Sequence, residues 1–240
     1  MINVVTVSVL AIFAGFILLD TVWRPRDYPA TPGWRIKGLL AFVAYMAVAL
    51  TAPLVWDAFL AEHRLIDLTR QPLWLQLGVG LLVFALTQYL WHRALHGVDF
   101  LWRHLHQTHH SAERIDVYSA FWFHPLDMVA WTLHASLALV WIVGLSLEAV
   151  IPIVLVTSFM AVFTHANVST PRWLGWFIAR PEMHAAHHER GEHRSNYCDL
   201  PLIDMIFGTY RNPKAAPKEA GFYDGASSEL GALLVGKKLV

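Results

Sequence analysis

Charge is scarce in this chain. Only 15% of its 240 residues are Asp, Glu, Lys or Arg, where a soluble globular protein carries about a quarter. The formal net charge is +0, so nothing draws a polyanion, and no nucleic-acid partner is expected. Cysteine is nearly absent too. A single residue, Cys198, excludes an internal disulfide and a four-cysteine zinc site. No HExxH signature occurs, which removes the support for protease-type zinc chemistry. No internal repeat stands out beyond two short histidine boxes.

What the chain does have is long apolar runs. Residues 2–19 and 73–91 carry no charge, and residues 38–60 carry one Asp. Each is close to the ~20 residues that cross a hydrocarbon core as a helix. A further apolar region, 128–163, is interrupted by GLSLEAVIP, which has turn chemistry and a charge. It reads as two helices, about 127–143 and 149–166, joined by a tight turn. The first run lacks a basic n-region and a small-residue cleavage site, so an uncleaved span is expected. The fold class is all-α: a polytopic membrane bundle of four to five transmembrane helices. Residues 1–72 form its N-terminal transmembrane part, 73–211 the functional domain, and 212–240, rich in Ala, Gly, Pro and Ser, a loosely structured tail.

Arg24, Arg26, Arg35 and Lys37 cluster between the first two spans. Cytoplasmic loops are enriched in Lys and Arg, which puts the N-terminus outside and the third span's end inside. The histidines then collect on the cytoplasmic side as a histidine-rich, metal-binding cap. They are His92 and His96; His106, His109 and His110; His165; and His184, His187 and His188.

Their spacing carries the chemistry. On an α-helix, positions i, i+3 and i+4 share a face. His92 and His96 are i, i+4, while HQTHH (106–110) and HAAHH (184–188) are each i, i+3, i+4. Each box can aim two or three imidazoles at one point. Neutral imidazole is the commonest nitrogen ligand of iron, zinc and copper. Eight boxed histidines exceed the three or four ligands of one zinc ion, so two ions at about four to five imidazoles each are expected. Other histidines fit blander roles: His63 in an outer loop, His134 as a hydrogen-bonded core residue, His104 facing elsewhere, and His193 solvated. Trp23, Trp34, Trp56, Trp74, Trp91 and Trp102 near span ends suit an interfacial aromatic belt.

HRALH (92–96), HQTHH and HAAHH together resemble the HxxxH, HxxHH, HxxHH pattern of the fatty acid hydroxylase/sterol desaturase superfamily. HHSAERIDVYSAFWFHPLD (109–127) looks like that family's HHS…HPxE stretch, FTHAN (163–167) like its late histidine, and NYCDLPLIDMIFGTY (196–210) like its NYG…WDxLFGTY signature. Cys198 stands where Gly is usual and Ile203 where Trp is common. The resemblance covers roughly residues 75–210 and makes 73–211 a fatty acid hydroxylase-like catalytic domain.

That resemblance implies a non-haem diiron centre using dioxygen to hydroxylate an aliphatic C–H of a lipid or sterol-like substrate from the bilayer. Electrons would come from a separate ferredoxin- or cytochrome-like donor. The implied ligands are His92, His96, His106, His109, His110, His184, His187 and His188, with His165 the ninth. His124, in HPLD, is a further ligand or a supporting or helix-starting residue. Asp127, Asp199 and Asp204 are candidates to accept imidazole N–H groups, as ligating histidines require, with Asn167 and Asn196 as weaker ones. A desaturase with the same site is the alternative. A membrane metal-binding or transport protein is the non-enzyme one.

Overall fold

The computed structural model describes residues 4–23 and 26–239. Residues 2–3 of the first apolar run and Arg24 of the basic loop lie outside them. Among the described residues there is no β-strand, only an isolated bridge between Glu189 and Ala220. Five helices among the described residues are long and apolar enough to cross a membrane: Val4–Val22, Trp34–Glu62, Leu73–Gly97, Pro125–Ile142 and Leu147–His165. The first packs along the fifth, the third along the fifth, and the second along the fourth. Leu82, Leu86 and Leu90 on the third span and Leu39, Leu40 and Val43 on the second face outward. Apolar side chains cover the outside as well as the inside, as a bilayer solvent demands.

The second span is longer than its apolar run and is broken. Its first part ends at Thr51, and Pro53 starts the second, because proline has no N–H to continue the ladder. The fourth span passes from α-helix into a π-helix over Leu137–Ile142 and reverses at Gly144, whose φ of 50° only glycine adopts cheaply. Gln76 accepts the Ser146 N–H at 2.9 Å and closes this turn, where the interruption at 144–148 predicts one.

The remaining chain folds as a cap over the ends of the third and fifth spans and the start of the fourth. Gly38 lets the second span meet it, since a Cβ there would lie 2.5 Å from the Tyr118 carbonyl oxygen. Trp34 departs from the aromatic-belt expectation. It is buried, donates to Asp116 at 2.9 Å and packs on Trp122. The C-terminal tail departs from the expectation of looseness. Glu113 accepts the Ser227 N–H at 3.0 Å, Gln107 donates to the Lys237 carbonyl at 2.9 Å, and Leu233 is fully buried. The tail is held by backbone groups paired to buried polar side chains, an arrangement that leaves no hydrophobic period in the sequence.

Candidate metal centre

Nine histidines converge in the cap as two adjacent groups. His92, His96, His106, His110 and His187 form one, and His109, His165, His184 and His188 the other; within each, the candidate ligand nitrogens lie within 4.8 Å of one another. The boxes are divided between the groups in a reciprocal way. His106 and His110 join the first group and the i+3 residue His109 crosses to the second. His184 and His188 join the second and the i+3 residue His187 crosses to the first. Helix geometry accounts for this. At about 100° per residue, i and i+4 diverge by about 40°, whereas i+3 falls about 60° to the other side. One short helix therefore serves two neighbouring points. The chain before His106 adds a π-helical stretch, Trp102–His106, a distortion common at functional sites.

The nitrogen geometry suits cations. His92 Nδ1 donates to the Tyr197 carbonyl at 2.9 Å, His187 Nδ1 to the Ser195 carbonyl at 2.6 Å, and His106 Nδ1 to the Asp127 carboxylate at 2.9 Å. A neutral imidazole protonated at Nδ1 presents a lone pair at Nε2. Yet His92 Nε2 lies 3.0 Å from His106 Nε2 and 3.1 Å from His187 Nε2. In the second group His165 Nδ1 donates to the Ala161 carbonyl at 2.7 Å, and its Nε2 lies 3.0 Å from His184 Nε2 and 3.3 Å from His109 Nε2. Facing lone pairs repel unless a cation sits between them. Two nitrogens each ~2.1 Å from one metal ion would stand roughly 3.0–3.4 Å apart, which is the spacing found. Both nitrogens of His110 and Nε2 of His96 are buried with no hydrogen-bond partner, a state native proteins avoid without reason.

Protonation favours the same use. Burial pushes His106 down to about 3. It also holds His109, His110, His184, His187 and His188 well below the ordinary imidazole value, and neighbouring imidazoles add to the shift. These rings are neutral at pH 7, the form that binds a metal.

Among the candidate supporting residues, only Asp127 touches an imidazole of these groups. Asp199 accepts from Gln88 at 2.8 Å, with burial raising its carboxyl to about 6. Asp204 accepts the backbone N–H groups of Tyr197 and Cys198 and the Thr209 hydroxyl, and so holds the loop that carries the Tyr197 carbonyl. Asn196, at φ 56°, donates to the carbonyls of Met183 and Arg211. Asn167 is tied to Arg26 and Asp20. His124 Nδ1 accepts the Leu126 N–H at 3.1 Å and starts the fourth span, while its Nε2 meets the Leu234 carbonyl.

The bland roles suit His63, which meets the carbonyl and ring of Phe59, His104, which meets those of Phe100, and His134, 3.0 Å from the Thr87 hydroxyl. His193 differs from its solvated reading. It is half-buried against Trp102 and Phe222, with its ring 4.9 Å from that of His110. The carbonyls of Tyr197, Ser195 and Ala161 were invisible in the sequence, because any residue type supplies a carbonyl.

A mainly apolar cavity of about 350 Å³ reaches the histidines from the membrane spans. His92, His106, His109, His165 and His184 line its inner end. Tyr45, Phe121, Phe123 and Trp131 follow, then Leu139, Val150 and Val154 farther along the spans. Phe123 lies 4.5 Å, ring to ring, from His109. Trp122 does not line the cavity; its indole N–H donates to the Ser111 hydroxyl.

Comparison with known proteins finds the fatty acid hydroxylase family profile matching residues 77–209. An ornithine lipid hydroxylase, OlsE, of Rhizobium tropici is 28% identical over 222 residues, covering 87% of this chain and 65% of its own. A candidate Delta(7)-sterol-C5(6)-desaturase of Arabidopsis thaliana is 26% identical over 156 residues, covering 59% of this chain and 50% of its own. The chain thus spans about half to two thirds of the length of these relatives. No solved structure matches.

Proposed function

The chain belongs to the fatty acid hydroxylase family, and on that premise we propose that it is a membrane oxygenase with a non-haem diiron centre. In this reading it hydroxylates an aliphatic C–H of a lipid or sterol-like substrate, with dioxygen as co-substrate and electrons from a separate ferredoxin- or cytochrome-like donor. One observation carries the reading: two adjacent groups of buried imidazoles stand at the inner end of an apolar cavity. An unactivated C–H offers no acid, base or electrophile for side chains to act on.

His92, His96, His106, His110 and His187 would hold one iron, and His109, His165, His184 and His188 the other. Bound iron would supply the redox chemistry that zinc lacks. The protein's own part is positioning. Asp127 and the carbonyls of Tyr197, Ser195 and Ala161 keep the Nδ1 protons pointing away, so that Nε2 lone pairs face inward. Tyr45, Phe121, Phe123 and Trp131 hold an apolar chain against that end and exclude water from it. The relative named as an ornithine lipid hydroxylase supports a lipid substrate.

A desaturase using the same site is the second reading, favoured by the name of the sterol desaturase relative. A transport role is disfavoured because the histidines gather at one end of the bundle, not along a path across it. Arg26, Arg35 and Lys37 lie towards that same end, which supports a centre on the cytoplasmic side and an N-terminus outside.

The test compares wild type with His187→Ala, each reconstituted with iron and a reductant system, under air and under argon. Wild type under labelled dioxygen should place an oxygen atom in a lipid product, or consume dioxygen while forming a double bond. Equal product in all four conditions would overturn the oxygenase reading. Lipid mass spectrometry of deletion and wild-type membranes identifies the substrate.

A further inference from the structure

The cavity does not end among apolar groups. It extends along the spans to the opposite end of the bundle, where Asp57 forms part of its lining beside Met46, Leu50 and Pro53. His165 and Val150 both line it and lie near opposite ends of one helix, a separation of about 22 Å at ~1.5 Å per residue. Tyr45 and Asp57 lie about 18 Å apart along the second span by the same measure.

Asp57 sits within a membrane span, in the short helix that follows the Pro53 break. Its Oδ1 is buried and accepts no hydrogen bond among the described residues. None of the ion pairs among those residues involves it. A carboxylate towards the end of a span, half-buried and with one oxygen shut off from solvent, is costly unless something pairs with it, and such residues mark ligand paths. No cation among the described residues does so.

We propose that Asp57 is the counter-charge for an ammonium group on the lipid that fills this cavity. The ligand class is a long-chain amphiphile carrying a primary ammonium at one end, its apolar chain running through the bundle to the histidines. The proposal rests on the lipid-oxidation reading above and deepens it. Pinning the nitrogen beside Asp57 would present to His106, His109 and His165 a carbon about 20 Å away along the chain, so that Asp57 acts as a ruler for the position attacked.

Binding tests this without turnover. The full chain, purified in an uncharged detergent, is loaded with tritiated hexadecanol, which is displaced by unlabelled hexadecylamine or by palmitate. Wild type should prefer the amine over the carboxylate at least about tenfold, as expected when a partly buried carboxylate attracts one and repels the other. Asp57→Asn should abolish that preference while still binding hexadecanol, the sign that the cavity is intact. Asp57→Ser, smaller and uncharged, should behave the same if the asparagine variant fails to fold. Glu62→Gln, at the end of the same helix and outside the cavity, should keep the preference. Equal displacement by amine and palmitate in wild type would overturn the proposal, as would a preference that survives at Asp57→Asn. Failure of the oxygenase reading looks different: no dioxygen-dependent product, with the binding preference untouched.

Discussion

His106 donates its Nδ1–H to Asp127 across 2.9 Å, and the two side chains are 1% and 0% exposed. The imidazole comes from the cap and the carboxylate from the first turn of the fourth span, so the bond locks one to the other. It also selects the tautomer that leaves Nε2 free. Asparagine at 127 could offer an N–H to Nδ1 and so allow the wrong tautomer. Asp127→Asn is therefore expected to weaken metal binding by about 10–100-fold, read by competition with a chelator. An unchanged affinity would remove Asp127 from the support of this centre.

The reciprocal sharing of the boxes makes a second prediction. Iron-loaded wild type should hold about two ions per chain, one for each group. His187→Ala strikes the first group and His184→Ala the second, although both residues sit in one box. Each should lower the content toward one, and the double variant toward none. Elemental analysis after anaerobic loading measures this. If His187→Ala empties both sites, the groups are not independent.

Membrane orientation can be read by labelling. Leu65, 62% exposed, lies in the loop between the second and third spans, and Glu192 is exposed on the cap. Cys198 is buried, so background reaction is low. Leu65→Cys should react with an impermeant maleimide from outside the cell, and Glu192→Cys only after permeabilisation. The opposite pattern would invert the topology.

Acid should destabilise the metal-free protein through its histidines. The folded state holds His106 near 3 and its neighbours well below the ordinary value of 6.5. The unfolded chain takes up protons below about 6.5 that the folded one refuses. Stability is then greatest above pH 6.5 and falls progressively as pH drops toward 3. Thermal melting of the metal-free protein should therefore shift downward between pH 7.5 and pH 5. Identical melting temperatures at both values would mean that these imidazoles are solvated.

Much of this was legible in the residues. The apolar runs predicted four to five spans, and five are found among the described residues, since a bilayer asks only for enough consecutive apolar residues to satisfy length and solvation. The boxes predicted which side chains converge, because helical spacing puts them on one face. Local periodicity carries both signals. Asp127 was one of three aspartates the sequence offered as imidazole partners, and of the three it is the one that meets a histidine of these groups.

Other features were decided only by tertiary structure. Which imidazole joins which group depends on where two short helices face each other, and the sequence groups His109 with His106 and His110, not with His184 and His188. The carbonyls that orient His92 and His187 come from a loop fixed by Asp204, more than a hundred residues from His92 in the chain. Trp34 and the C-terminal tail pair with Asp116, Glu113 and Gln107, partners with no local signature. Asp57 reads in the sequence as one charge near the end of a span, and only the packing of the helices around it makes it the end of a cavity. The physical reason is common to all of them. Spacing within a helix is set by the backbone, whereas contacts between elements are set by the packing of the whole bundle.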